Sequence, residues 1–246
     1  MKNNYRKTKS LLLSLVLFSS VLEFPSNSIA VTPSVQIKQT QPQRTQPKKK
    51  RSTWETIVTM FKGKVPKLGS RGICPVNPGI LESVNIIWSD RPLFLWQGTD
   101  VPIEIRLYSS FEPSQDQSIL WRQVLKDAIS TSTFQGIQYT GEALEAGKIY
   151  DWEIFSPSTA TKKRRSFRVM GLEERDRITS ELKNLEAQLR TENATDEEIA
   201  IERSYYFAQQ DLWSDALQEM YSVEKPSPEL TLKVQELLSY ICNPSK

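Results

Sequence analysis

The chain has 246 residues, 38% of them hydrophobic and 25% charged, with 32 Lys and Arg against 29 Asp and Glu, two cysteines and no histidine. The missing histidine excludes His-based triads, His general acid–base catalysis and His-ligated metal sites. Two distant cysteines cannot build a structural zinc site, and nine glycines without a GxGxxG or GxxxxGK[ST] pattern exclude a glycine-rich phosphate loop.

Residues 1–30 have the pattern of a cleavable secretory signal peptide. Lys2, Arg6, Lys7 and Lys9 form a basic start, residues 11–22 an apolar run, and Ser28-Ile29-Ala30 the small residues that a signal peptidase accepts. Cleavage is expected between Ala30 and Val31. The alternative is an uncleaved anchor, but the run is short against the ~20 residues that span a bilayer. The expected location is therefore periplasmic or extracellular. No Cys precedes Cys74, which removes a lipid anchor, and no other stretch is apolar enough to span a membrane.

Removing the peptide leaves a balanced chain with an uneven charge distribution. Residues 31–72 carry ten Lys and Arg against Glu55 alone, whereas residues 171–246 carry eight basic and sixteen acidic side chains. A basic arm thus precedes an acidic body. In an exported chain Cys74 and Cys242 are expected to pair, stapling the two ends of that body, the alternative being two unpaired buried thiols.

Residues 31–53 are rich in Gln, Thr and Pro and hold the run Lys48-Lys49-Lys50-Arg51, as expected for a disordered basic linker. In residues 54–72, Ser52 and Glu55 have capping-box spacing, and Trp54, Ile57, Val58 and Phe61 fall on one helical face. Two readings of this short amphipathic helix stand. Beside the basic run it forms a contact to a membrane surface or anionic polymer through Lys48, Lys49, Lys50, Arg51, Trp54, Ile57 and Phe61. Alternatively its apolar face packs on the body.

From residue 80 to 170 the period is two. Seven strands are expected, at 84–88, 93–97, 101–108, 118–125, 134–140, 148–155 and 166–170. In the clearest, Ile103, Ile105 and Leu107 alternate with Glu104, Arg106 and Tyr108. Lys162-Lys163-Arg164-Arg165 falls in the link before the last strand, either a solvated hairpin loop or a grip for an anionic polymer. Trp96, Trp121 and Trp152 are expected in the core rather than as sugar-stacking platforms; Trp54 and Trp88 are less committed. The stretch Leu144, Gly147, Tyr150, Trp152 resembles the entrance to the sixth strand of fibronectin type III and related immunoglobulin-like domains, where a Tyr hydroxyl caps the corner. That resemblance implies an immunoglobulin-like β-sandwich over residues 73–170.

After Gly171 the period is helical, with helices expected at 172–191, from the Thr195–Glu198 capping box to 210, at 212–223 and at 229–241. The middle two resemble a single tetratricopeptide hairpin, with Tyr205, Phe207, Ala208, a turn at Gln210-Asp211, then Trp213, Ala216 and Leu217. The expected class is β + α: a seven-stranded sandwich followed by a four-helix, partly tetratricopeptide-like module over residues 171–246.

Several stretches together resemble a family of exported cyanobacterial proteins, those of domain of unknown function 928. They are Arg71-Gly72-Ile73-Cys74-Pro75 leading to Pro78-Gly79, then Trp88-Ser89-Asp90-Arg91-Pro92-Leu93-Phe94, then residues 147–152, then Leu212-Trp213-Ser214-Asp215-Ala216-Leu217. The resemblance spans roughly residues 70–242 and implies no established activity and no catalytic residues. One departure is Asp211, where related sequences often have Gly, which puts the turn geometry in doubt.

No catalytic, cofactor-binding or metal-binding residues are assigned. A carboxylate-dependent polysaccharide hydrolase could use Asp151 and Glu153, which share one strand face, with Glu142 and Glu145 nearby. The same alternation turns Tyr150, Trp152 and Ile154 inward and these acids to solvent, which favours a non-catalytic role. Asp196-Glu197-Glu198 is accounted for by a helix N-terminus, and Asn193-Ala194-Thr195 by a helix cap. The function expected is that of a non-enzymatic cell-envelope module holding an envelope protein or an anionic wall polymer. Nucleic acid is not expected as a partner of an exported chain with an acidic body, and contact with a membrane would be at most peripheral.

Overall fold

The computed structural model describes residues 52–68, 73–81, 85–98, 102–109, 118–126, 134–157 and 160–242. In chain order these form α1 (Thr53–Lys64), β1 (Cys74–Asn77), β2 (Asn85–Ile87), β3 (Leu93–Gln97), β4 (Ile103–Ser109), β5 (Ile119–Leu125), β6 (Phe134–Gln138), β7 (Ile149–Ser156) and β8 (Thr161–Val169). Four helices follow, α2 (Leu172–Thr191), α3 (Asp196–Gln209), α4 (Trp213–Tyr221) and α5 (Pro228–Cys242). The described residues thus make a mixed chain of two sheets and five helices.

One sheet has the order β2-β8-β7-β4-β5, the other β1-β3-β6. All pairings are antiparallel except β2 with β8. The two sheets share a core in which Phe94 and Trp96 of β3 meet Ile105 and Leu107 of β4, Trp152 and Ile154 of β7 and Phe167 of β8. The Phe94 and Trp152 rings lie 5.0 Å apart and tilted, an arrangement that aromatic quadrupoles favour. Buried, the Trp152 indole N–H donates to the Pro78 carbonyl at 2.7 Å. The hydroxyl of Tyr150 accepts from the Glu145 amide at 2.9 Å, closing the corner at the entrance to β7.

β3 is buried on both faces, and its Leu95 turns away from the sheet–sheet core into a second one. There Cys74 and Val76 of β1 and Phe134 of β6 pack with Ile57 and Phe61 of α1, Phe207 of α3, Trp213 and Leu217 of α4 and Leu238 of α5. The small sheet is therefore a middle layer, with the five-stranded sheet on one side and the helices on the other. Cys74 and Cys242 lie at disulfide distance, joining β1 to the end of α5.

The structure corrects three expectations. Eight strands are present among the described residues rather than seven, because β1 is short and contains Pro75. An edge position with a register shift beside it tolerates the missing N–H. Second, Lys162 to Arg165 are not a link. The turn is completed by residue 160, where Ala160 takes φ 52°, and the four basic residues pair with β7 from Phe155 to Trp152. Third, Trp54, Ile57 and Phe61 do not form a membrane-facing stripe. All three are buried among the chain's own helices, with the Phe61 ring edge-on to Trp213 at 4.8 Å. Thr53 Oγ1 donates to Glu202 of α3 at 2.8 Å, and the Tyr240 hydroxyl of α5 donates to the Lys62 carbonyl. Apolar area that can be covered by the protein itself is not left for a bilayer.

Local signals were followed closely elsewhere. Ser52 with Glu55, and Thr195 with Glu198, form complete capping boxes. The α3–α4 turn passes through Asp211 at φ 58°, a left-handed conformation that Gly adopts freely and Asp tolerates through its short polar side chain. Asp211 is thus accommodated without loss of the turn.

Candidate functional site

Among the described residues, the outer face of the five-stranded sheet is left uncovered by the layering. Along β4 the residues that do not enter the core are Glu104, Arg106 and Tyr108, and on β7 they are Asp151, Glu153 and Phe155. The register sets Arg106 opposite Glu153 on β7 and Arg122 on β5, and Glu153 opposite Arg164 on β8. Lys162, Arg164, Ser166 and Arg168 follow at two-residue spacing on β8, all on this face by strand alternation.

Charges on this face are layered by depth. Glu153 is only 1% exposed in its side chain and Glu104 7%, whereas Lys162 above them is 59% exposed and Arg122 57%. Glu153 takes ion pairs from Arg106 at 3.2 Å and Lys162 at 3.1 Å, and a hydrogen bond from the Tyr108 hydroxyl at 2.9 Å. Glu104 is held by Arg106 at 2.6 Å and by Arg122. Asp151 is held by Arg164 at 3.1 Å and by the Ser166 hydroxyl. The guanidinium of Arg106 keeps the Glu104 carboxyl below the usual carboxylate range, and burial with a hydrogen bond to Glu153 raises Tyr108. Three sunken carboxylates thus hold the charged head groups of four cations, of which Arg122, Lys162 and Arg164 keep one side open to solvent while Arg106 is mostly covered. Arg168, opposite Ile86 and Ile149, has no ion-pair partner among the described residues.

This arrangement alters the reading of Asp151 and Glu153. They lie on the outer face, as alternation requires, but are buried there rather than presented to solvent. Every carboxylate oxygen of the pair is engaged by a cation or a hydroxyl, so neither is arranged as a proton donor or a nucleophile toward a sugar. Glu145 pairs with Lys148 at 2.7 Å, and Glu142 lies in the loop before β7. Trp88 is not a sugar platform either: its indole N–H donates to Thr179 at 3.1 Å and its ring lies 5.5 Å from Phe207. Among the described residues no group of three or more His, Cys, Asp or Glu is placed to hold a metal ion, and no helix is long and apolar enough to cross a membrane. Ala30, Val31 and Lys48 to Arg51 lie outside the described residues.

A second polar cluster is internal. The carboxylate of Asp215, in the first turn of α4, accepts the backbone N–H groups of Trp88 and Ser89, each at 2.9 Å. Gln218, one turn on, accepts from the Leu93 amide at 2.9 Å. Arg175 of α2 adds an ion pair to Asp90 at 2.5 Å. Burial pushes Asp215 up to about 7 against the downward pull of its two amide donors. This cluster clamps the β2–β3 link to the helical layer.

Known proteins add little to this geometry. No family model matches the chain, and no curated protein matches it. Among solved structures it is similar to the sensor domain of an anti-sigma factor from Pseudobacteroides cellulosolvens, at 14% identity and a TM-score of 0.25, over 42% of this chain and 77% of that one. A likeness that loose carries no argument for function.

In the sequence, Lys162 and Arg164 stand out as part of a basic run and Glu104 and Arg106 as the polar side of a strand. The sequence does not show that these are one surface, together with Arg122 and Arg168. The signal was the two-residue spacing of charges on each strand; the pairing register needed to join them is a long-range property.

Proposed function

We propose that this chain is an exported, non-catalytic module of the cell envelope whose recognition surface is the outer face of the five-stranded sheet. The observation that supports this reading is the vertical layering of charge, in which buried carboxylates hold exposed cations upright. Preorganised cations on a sheet are suited to binding rather than turnover, and the carboxylates Asp151 and Glu153 are already engaged by cations and hydroxyls. The signal peptide pattern and the Cys74–Cys242 staple favour an oxidising compartment. In this reading the sheet pair is of the immunoglobulin-like kind. The α3–α4 hairpin is a single tetratricopeptide-like unit that braces the middle layer, and the chain belongs with the exported proteins of domain of unknown function 928.

Cosedimentation with isolated envelopes tests the reading, using the full exported chain and an Arg122→Glu/Arg168→Glu variant. Retention of the wild type and loss of the variant are expected. Equal retention of the two, or retention of neither, would sink it.

A further inference from the structure

The charged rows of the sheet have a length and a direction. On β8, Lys162, Arg164 and Arg168 occupy alternate positions of one face, a span of about 20 Å at roughly 3.4 Å per residue. Arg106 and Arg122 extend the cationic surface sideways across β4 and β5. Against these five cations stand Glu104, Asp151 and Glu153, so the face carries a positive surplus. On the far side of the molecule, beyond the middle sheet, lies the helical layer, whose residues 171–246 hold twice as many acidic as basic side chains. The body is therefore polarised, and its field turns the outer sheet toward an anion.

A strip of this length suits a polymer with repeated acidic groups better than a single small anion. Arginine forks match carboxylate oxygens two at a time. The aromatic side chains on this face, Tyr108 and Phe155, lie under Arg164 and Arg106 respectively, so a sugar ring would be gripped by its charges and not by stacking. The exposed large apolar side chains of the sheet sit at its two edges, Ile86 on β2 and Ile119, Leu120 and Val124 on β5. They do not gather at one projecting tip that could enter a bilayer.

We infer that the outer face binds a linear acidic polysaccharide, a chain bearing uronate-type carboxylates, with Lys162, Arg164 and Arg168 tracking along it and Arg106 and Arg122 fixing its lateral position. This rests on the reading of that face as the recognition surface.

Titration of the full exported chain with sodium polygalacturonate tests it, with neutral dextran and vesicles of phosphatidylglycerol and phosphatidylcholine as the competing probes. Binding to polygalacturonate is expected, falling about tenfold as salt rises from low to high, with none to dextran. Arg168→Gln is expected to weaken it several-fold and to leave the fold intact, since Arg168 has no ion-pair partner among the described residues. Lys163→Gln removes the same charge from the neighbouring residue, which is directed to the opposite face, and should leave binding unchanged. Because the basic arm is present in every variant, its own attraction for polyanions cancels in the comparison. Equal effects of the two substitutions, no binding to polygalacturonate, or binding to the vesicles alone would overturn the inference. If envelopes retain the wild type and lose the charge-reversed variant while polygalacturonate binds neither, the recognition surface stands and only its ligand is wrong. If envelopes fail to separate the two, both readings fall.

Discussion

The carboxylate of Asp215 accepts the backbone N–H of Ser89 at 2.9 Å across a separation of 126 residues. The same carboxylate takes the Trp88 amide through its other oxygen, so the turn Trp88-Ser89-Asp90-Arg91-Pro92 and the helix start Leu212-Trp213-Ser214-Asp215 are halves of one contact. Replacing Asp215 by Ala would strand two amides, Ser89 being buried, and should cost roughly 2–5 kcal/mol. Denaturant unfolding of the variant would measure it, with Asp215→Asn, which retains one acceptor oxygen, losing less.

The same residue predicts a pH dependence. With its pKa raised by burial to about 7 from the ordinary aspartate value of 3.8, the folded chain keeps a proton that the unfolded chain has released between those two values. Stability from this group is therefore greatest below about 4, declines as pH rises to about 7 and is level above, a change of roughly 4 kcal/mol. Glu104 acts in the opposite sense, its stabilisation being present above the usual carboxylate range and lost as pH falls. Unfolding free energies of the wild type and Asp215→Asn, measured from pH 4 to 8, should diverge with this sign. A difference independent of pH would refute it.

The link between Cys74 and Cys242 closes a loop of 168 positions. Chain entropy alone puts its stabilisation at about 5 kcal/mol. The Cys74→Ser/Cys242→Ser variant should lose much of that, with hydrogen exchange rising first in α5, which the link ties to β1. Uniform exchange across all helices would show that the staple does not act locally.

Phe61 is fully buried against Trp213. Phe61→Ala should destabilise the chain by roughly 3–5 kcal/mol while leaving its affinity for anionic vesicles unchanged. Weakened vesicle binding in a variant that remains folded would restore α1 as a membrane contact.

Glu153 has three partners and almost no exposure. Truncating it to Ala leaves Arg106 without one of its counter-charges and Tyr108 without its acceptor, at a cost of about 3 kcal/mol by comparison with other broken buried pairs. Melting curves would show it. A Tm equal to that of the wild type would mean the cations stand without their carboxylates.

At the α3–α4 turn, Asp211 holds φ 58°. Asp211→Gly should stabilise by about 0.5–1 kcal/mol, since Gly avoids the left-handed penalty borne by an L side chain. A fall in Tm would imply that the Asp carboxylate contributes more than the backbone costs.

What could be read from the chain alone was whatever depends on neighbours in sequence. The period of two carried β4 and β7; the period of 3.6 with its caps carried α1 and α3; and the alternation on β7 separated Trp152 from Glu153. Periodicity assigns a side chain to a face but does not say what covers that face. So Trp54, Ile57 and Phe61 read as a core face ahead of a bilayer contact, because so short a helix seldom holds a membrane alone, and the helices packed over them decided it. Likewise Asp151 and Glu153 looked solvent-facing until the register brought Arg106, Lys162 and Arg164 over them. Those contacts, like that of Asp215 with Ser89, join residues brought together by strand register and layer packing. Both are set by the shared burial of distant segments, which no local pattern encodes.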